Sequence, residues 1–317
     1  MDRLAAECLT DRLARWTAEL DRLDRDRRDA EAVHQARVAG RRLRAAINLF
    51  AEQIGEGRAR RWRKCVRRAG RALGQVRDSD VQIAFVDRVI DACDDQKLTS
   101  GLKRLRLRLT QRRDQQQQHA DRALEKLRAD ETFHAMPAQL SERAGASGLA
   151  PGDDPAPPPP GASEASRAAG RAAVERELDT LLALGRYADQ PHMAEQLHEM
   201  RIAAKRLRYT LEIIAPLYDG RLDTMIKRVA RIQQALGDLH DMDIWIAYLP
   251  QFVEDERQRH QTFFGHLRGF RRVAQAADYL REHCIGQREK AYAQFIAHWR
   301  KAEQKDHWQK LRDKVGP

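Results

Sequence analysis

Residues 33–50 read VHQARVAGRRLRAAINLF, and residues 197–214 read LHEMRIAAKRLRYTLEII. The two stretches are offset by 164 residues. A second pair, ALGQVRDSDVQI at 72–83 and ALGDLHDMDIWI at 235–246, is offset by 163, so the copies run nearly collinear. Spaced at about 100° per residue around a helix, His34, Arg37, Arg41, Arg44 and Asn48 form one polar stripe. Ala36, Leu43, Ile47 and Phe50 form a separate apolar face. The second copy repeats the division, with His198, Arg201, Lys205 and Arg208 on one stripe and Met200, Leu207, Leu211 and Ile214 on the other. The six identities between the stretches are His34, Arg37, Ala39, Arg42, Leu43 and Arg44, so the basic positions are kept at least as well as the packing positions. That points to a symmetric, arginine-lined site as well as a repeated core.

The helix that leads into each second motif follows suit. Lys64, Arg68 and Arg71 share a face opposite Trp62, Val66, Ala69 and Leu73. Lys227, Arg231 and Gln234 stand opposite Met225, Val229, Ile232 and Leu236, with Gln234 replacing a charge by an amide. The run from His34 to Arg44 covers about 15 Å of helix axis, which suits an extended polyanion better than a single nucleotide. Arginine presents a forked donor whose charge does not titrate away, the chemistry that phosphate oxygens call for. His34 and His198 are candidates to donate to phosphate, or to be held structurally by a carboxylate. Arg77 and His240 occupy one equivalent position and are weaker candidates for the same role.

Composition agrees. The 317 residues carry 58 Lys and Arg against 47 Asp and Glu, a net charge of +11 that attracts polyanions. Aromatic residues make up 6% and β-branched residues are sparse beside Ala, Leu, Arg, Glu and Gln, which favours helix over strand. Cys8, Cys65, Cys93 and Cys284 are scattered without a CxxC, so neither a zinc site nor a disulfide framework is expected. No leader-like or membrane-spanning apolar stretch occurs, so the expected setting is the cytoplasm, with no membrane partner.

The pattern predicts an all-α chain of two helical bundles related by an internal pseudo-two-fold. Residues 1–145 form the first half, 146–166 (ASGLAPGDDPAPPPPGASEAS) a flexible linker, and 167–317 the second half. Helices are expected over 9–23, 30–53, 58–73, 79–93 and 99–142, then 171–184, 191–214, 221–236, from 242, 256–283 and 287–314. Gly74 and Gly237 are expected to end helices, with Asp78 and Asp241 capping the next ones and the second aspartate of each pair, Asp80 or Asp243, supporting a neighbouring arginine. A metal or acid–base reading of these aspartates is the weaker alternative. Pro191 is expected in a first helical turn, and Pro216 is expected to stop a helix. No Gly-rich phosphate loop, HExxH or Ser–His–Asp signature is present, so no enzyme chemistry, metal or cofactor is expected.

The repeated HxxRxxxRRxR, each followed by LGxxxDxD, resembles the CHAD family, the conserved histidine α-helical domain. The carrying residues are His34, Arg37, Arg41, Arg42 and Arg44 with Leu73, Gly74, Asp78 and Asp80, then His198, Arg201, Lys205, Arg206 and Arg208 with Leu236, Gly237, Asp241 and Asp243. The resemblance implies two helical bundles about a pseudo-two-fold with a basic cavity where they meet. It also implies binding of inorganic polyphosphate and, for some members, association with polyphosphate granules and their proteins. Many members are fused to a triphosphate-hydrolysing CYTH domain marked by ExExK on a strand. This chain has neither the motif nor a strand pattern, so that activity is not carried over. The implied binding residues are His34, Arg37, Arg41, Arg44, Lys64, Arg68, Arg71, His198, Arg201, Lys205, Arg208, Lys227 and Arg231. Nucleic acid is a less favoured partner, because the basic stripes carry no aromatic residue on which bases stack. An adaptor role, with the working surface on the long helices elsewhere, is the other alternative.

Overall fold

Leu9, Leu13, Trp16, Leu20 and Leu23, at helical spacing, are all buried on one side of the first helix, α1 (Arg3–Arg25). A computed structural model describes residue 1 and residues 3–145 and 164–316. The helices that follow are α2 (Ala30–Leu49), the single turn α3 (Ala51–Ile54), α4 (Glu56–Asp91), α5 (Gln96–Arg128) and α6 (Glu131–Gly145). Then come α7 (Glu164–Ala183), α8 (Ala194–Ile214), α9 (Asp223–Phe264), α10 (Phe270–Gln304) and α11 (His307–Val315). The fold is all-α, with no strand among the described residues. The expected linker falls mainly on residues outside the described ones, and its last three, 164–166, open α7.

Neighbours repeat from one half to the other. The helix α1 packs on α2 as α7 packs on α8, α2 on α4 as α8 on α9, and α4 on α5 as α9 on α10. The final short helix closes back on the first of its half, α6 on α1 and α11 on α7. Two cores result. The larger holds Trp16, Leu43, Ile47, Trp62 and Leu73 together with Met200, Leu207, Met225, Phe295 and Leu311. The smaller joins the far ends of the long hairpins: Val86, Leu102, Leu105 and Leu109 from α4 and α5 meet Trp245, Leu249, Phe252, Ala276 and Leu280 from α9 and α10. At Gly101 the approach of α5 to α10 is so close that a Cβ would lie 2.4 Å from that of Ala276 and 2.5 Å from the Arg272 carbonyl oxygen.

Several expected boundaries move. Gly74 and Gly237 do not end helices: α4 and α9 run straight through them. One glycine in a helix interior costs about 1 kcal/mol, while the flanking Leu73 and Val76, or Leu236 and Leu239, each bury a side chain that contributes about 1.5–3 kcal/mol. Asp78 and Asp241 therefore sit mid-helix and cap nothing. Side chains that do accept from first-turn amides are Asp29, from Glu31 at 2.9 Å, Asp95, from Lys97 at 2.7 Å, and Asp130, from Thr132 at 2.9 Å. Pro191 lies in a turn ahead of α8, and Pro216 in a 3₁₀ turn (Ala215–Tyr218) directly after it. The helix expected over 256–283 is divided at 265–269, where Gly265 and Gly269 take left-handed φ values of 68° and 79°. No break occurs near 285, since α10 continues through Cys284 and Gly286. The expected 99–142 helix divides at Ala129–Asp130.

Candidate functional site

The repeated stripe lies where α2 meets α8. His34, Arg37, Arg41 and Arg44 from α2, and His198, Arg201, Lys205 and Arg208 from α8, are all half-buried. Lys205 is held down to about 8 by burial and by the charges of Arg201, Arg41, Arg44 and Arg37. One lysine thus feels three arginines from the other copy of the motif. Burial also lowers Arg41 and Arg44, and their charged neighbours include Arg208 for the first and Arg67 and Arg71 for the second. Among the described residues, no carboxylate makes an ion pair with Arg41, Arg44 or Lys205 at the middle of this centre. The carboxylates that touch it sit at its edges, Asp78 3.2 Å from Arg37 and Glu212 3.2 Å from Arg208. The buried Nε of Arg41 has no hydrogen-bond partner in the protein.

The LGxxxDxD element serves the arginines. At Gly74 an added Cβ would sit 3.5 Å from the Arg37 Nε, and at Gly237 the same distance from the Arg201 Nε. Each glycine is where the guanidinium of the preceding HxxR motif lies over the helix. The aspartate one turn further on then faces the same arginine, Asp78 in the ion pair with Arg37 and Asp241 in the field of Arg201. The second aspartate takes a different arginine. Asp80 accepts from Arg113 Nε at 3.0 Å, and Arg113 also donates to the Arg28 carbonyl at 3.1 Å. Asp243 accepts from Arg288 Nε at 2.5 Å, and Arg288 donates to the Pro191 carbonyl at 2.6 Å. In both copies, one arginine staples the fourth long helix of the half to the third and to the turn ahead of the stripe helix. Asp80 and Asp243 are each paired with an arginine, and Asp78 and Asp241, mid-helix, do not cap as expected.

The histidines stand at the same end of the stripe in both copies. His34 is lowered by burial and by Arg77, then Arg41 and Arg37. His198 is lowered by burial and by Arg201 and Lys205, and its ring stacks 3.9 Å from that of His240. Burial, His198, Arg201 and Lys205 push His240 down to about 4. Burial and the surrounding cations favour the neutral imidazole in each case, and a negative charge entering beside them would favour the protonated form. The equivalent positions 77 and 240 do face the equivalent histidines.

The outer basic residues part company. Arg71 stays beside Arg44, and Lys64 is exposed about two turns away on α4. Arg68 turns aside toward Asp130, 3.9 Å away. Lys227 and Arg231 line a separate cavity formed by α9, α10 and α11, with no residue of α2 or α8 in its wall. Gly40, where the two copies differ, lies away from the stripe against Trp16: a Cβ there would come within 2.9 Å of the indole nitrogen.

Four site residues escaped the sequence reading. Arg67 lies beside Arg44, and its counterpart in the other copy is Ala230, so the repeat did not flag it. Tyr209 is buried within hydrogen-bonding reach of Arg41 and carries Arg208 5.0 Å over its ring; its counterpart is Ala45. Arg113 and Arg288 are 175 residues apart, beyond the 163–164 repeat, because the second hairpin is longer. Their common signal is an arginine on the helix after each DxD, too loose to find without the fold.

Among the described residues there is no cluster of three or more metal-binding side chains, and no helix is long and apolar enough to cross a membrane. Cys65 and Cys284 are buried thiols, each pushed up to about 12 by burial. Comparison with solved structures finds the CHAD domain of the plant Ricinus communis, with a TM-score of 0.66 and 22% identity over 94% of this chain and 90% of that one. PptA from Streptomyces chartreusis is similar at a TM-score of 0.64 and 19% identity over 94% of this chain and 98% of that one. Two proteins of Mycobacterium tuberculosis, uncharacterized protein MT2285 and uncharacterized protein Rv2226, are each 32% identical over 222 residues. Those matches take in 65% of this chain and 41% of theirs, so the chain spans about two fifths of the length of these relatives. The CHAD domain profile matches residues 7–250, which contain both copies of the stripe and both LGxxxDxD elements; the chain belongs to the CHAD domain family.

Proposed function

We propose that this protein binds inorganic polyphosphate in the groove between α2 and α8, by electrostatics and hydrogen bonding and without chemistry on the bound chain. The observation that carries the reading is Lys205, a half-buried lysine held at about 8 by burial and by arginines of both stripes. Like charges gathered in a half-buried site are unfavourable alone and favour an anion that compensates them all. A linear polyphosphate supplies charge at every unit along the stripe, and each arginine fork matches its oxygens. Family membership supports the same ligand. Asp78, Asp80 and Asp243 are already engaged by arginines, which favours holding over hydrolysis. Nucleic acid fits less well, because the aromatic side chain at the groove, Tyr209, is 7% exposed and offers no face for a base. A place in the cytoplasm, on polyphosphate granules and among their proteins, follows from this reading.

Arg41→Glu combined with Lys205→Glu tests it. The double variant is expected to lose polyphosphate binding while keeping the helical circular-dichroism signal, and wild-type affinity is expected to fall steeply as salt rises. Normal polyphosphate binding by a folded double variant would show that the groove is not the site. Phosphate released from polyphosphate and Mg²⁺ by the wild type would overturn binding without chemistry.

A further inference from the structure

The cavity that takes in Lys227 and Arg231 has a character of its own. Its volume is about 380 Å³, near the small end of ligand pockets, which run to about 1,000 Å³. One wall is a run of α9 cations, Lys227, Arg228 and Arg231; the other is the end of α10, with Lys301 and Lys305. His298 and His307 complete the polar lining, Ile232 and Ala302 form an apolar floor, and no carboxylate takes part. Among the described residues, none of these lysines and arginines makes an ion pair. His307 is 5% exposed, and burial with Arg228, Lys310, Lys305 and Lys301 lowers it.

The first half shows what such a place looks like when the chain neutralises it. There Arg68, at the position equivalent to Arg231, has Asp130 3.9 Å away at the start of α6. The matching aspartate ahead of α11 is Asp306, held at a φ of 50°, and it is absent from the cavity wall. In place of an internal counter-charge, this place in the second half is lined by Lys301, Lys305, His298 and His307. Five lysines and arginines around a small cavity over-neutralise a carboxylate and match an anion of two or more charges. Lysines and forked arginines on opposed walls suit tetrahedral oxygens.

We propose that this cavity is a second anion site, distinct from the groove, that takes a short phosphoanhydride of about pyrophosphate size. It goes beyond the groove reading. The ligand source is a free short phosphate or the end segment of a long chain, which share the same chemistry.

Calorimetric titration of the full chain separates these cases. Three proteins are needed: wild type, the groove variant Arg41→Glu/Lys205→Glu, and a cavity variant Lys301→Glu/Lys305→Glu, whose changed side chains are exposed and outside the cores. Pyrophosphate is expected to bind wild type and groove variant within twofold of each other, and the cavity variant at least tenfold more weakly. Arg231→Gln, a milder change, is expected to weaken it severalfold. Failure of wild type to bind pyrophosphate, or unchanged binding by the cavity variant, overturns the proposal. Loss of pyrophosphate binding in the groove variant also overturns it and leaves the polyphosphate groove standing. Long-chain polyphosphate binding retained by the groove variant defeats the groove reading and leaves the cavity untouched. Long-chain affinity in the cavity variant identifies the source: unchanged, a separate short phosphate; weakened, the end of the same chain.

Discussion

Set side by side, the two halves agree in their inner parts and diverge outward. On α2 and α8 the histidine and the three basic positions of the stripe are kept, Arg41 as Lys205, and so are the glycine under each arginine, the aspartate one turn on and the arginine staple behind. One helix further out the agreement fails. On α4, Arg67 and Arg71 stand beside Arg44 of the groove, where the equivalent α9 positions are Ala230 and Gln234, and Gln234 is bonded to Asp238 on its own helix at 2.8 Å. Arg68 is balanced by Asp130, whereas Arg231 joins an acid-free cavity. Positions that must act together across the interface are constrained in both copies. Positions that act alone have been free to change.

The staples give the largest way to break this comparison. Arg113 and Asp80 have side chains 10% and 11% exposed, so Asp80→Ala strands a buried guanidinium and is expected to cost about 3–5 kcal/mol in urea unfolding. Arg288 and Asp243 are each 19% exposed, and Asp243→Ala is expected to cost less, about 1–3 kcal/mol. Equal losses would mean that the two staples are not graded by burial.

Charge state at the shared centre comes next. Lys205 carries its proton below about 8 and loses it above, while its unfolded counterpart holds on to about 10.5. Polyphosphate binding is therefore expected to take up a proton above pH 8 and to weaken about tenfold between pH 7 and 9 in the wild type. Lys205→Arg, which keeps its charge, is expected to show a flat profile over that window. The effect on folding without ligand runs the other way: the unfolded chain binds more protons between pH 8 and 10.5, so this residue makes stability rise with pH across that range. A wild-type affinity that does not change from pH 7 to 9 would remove Lys205 from the bound contacts.

Gly74→Ala and Gly237→Ala probe the part that both copies kept. An alanine Cβ would meet the arginine at 3.5 Å, an ordinary contact, and would raise helix propensity, so each variant is expected to gain up to about 1 kcal/mol in thermal or urea unfolding. A glycine that ended a helix would give the opposite sign. The smallest effect is expected from restoring symmetry: Gln234→Arg should raise polyphosphate affinity about two- to threefold and steepen its salt dependence by close to one ion. No change in the salt slope would place position 234 outside the groove.

Much of the architecture was legible because it is written twice. The apolar spacing in α1, α2 and α8 named core residues that are buried, and the basic stripe named side chains that do converge. The errors cluster where local signals compete with packing. Glycine followed by aspartate is a reasonable stop-and-cap signal, yet Leu73, Val76, Leu236 and Leu239 bury enough surface to carry the helices through. Arg68 and Arg71 looked alike on a helical wheel. Only the arrival of α6 with Asp130 turned one of them away from the groove.

The sequence by itself determined the helical class, the duplication and the inner basic positions, because periodicity and repetition are properties of the chain read in order. It could not determine that Arg37 rests on Gly74 and pairs with Asp78, that Tyr209 supports Arg41, or that Lys227 and Arg231 belong to a different cavity. Those relations arise between residues on different helices. The tertiary structure decided them, since the direction a charged side chain takes depends on which counter-charge, backbone or cavity its neighbours bring within a few ångströms.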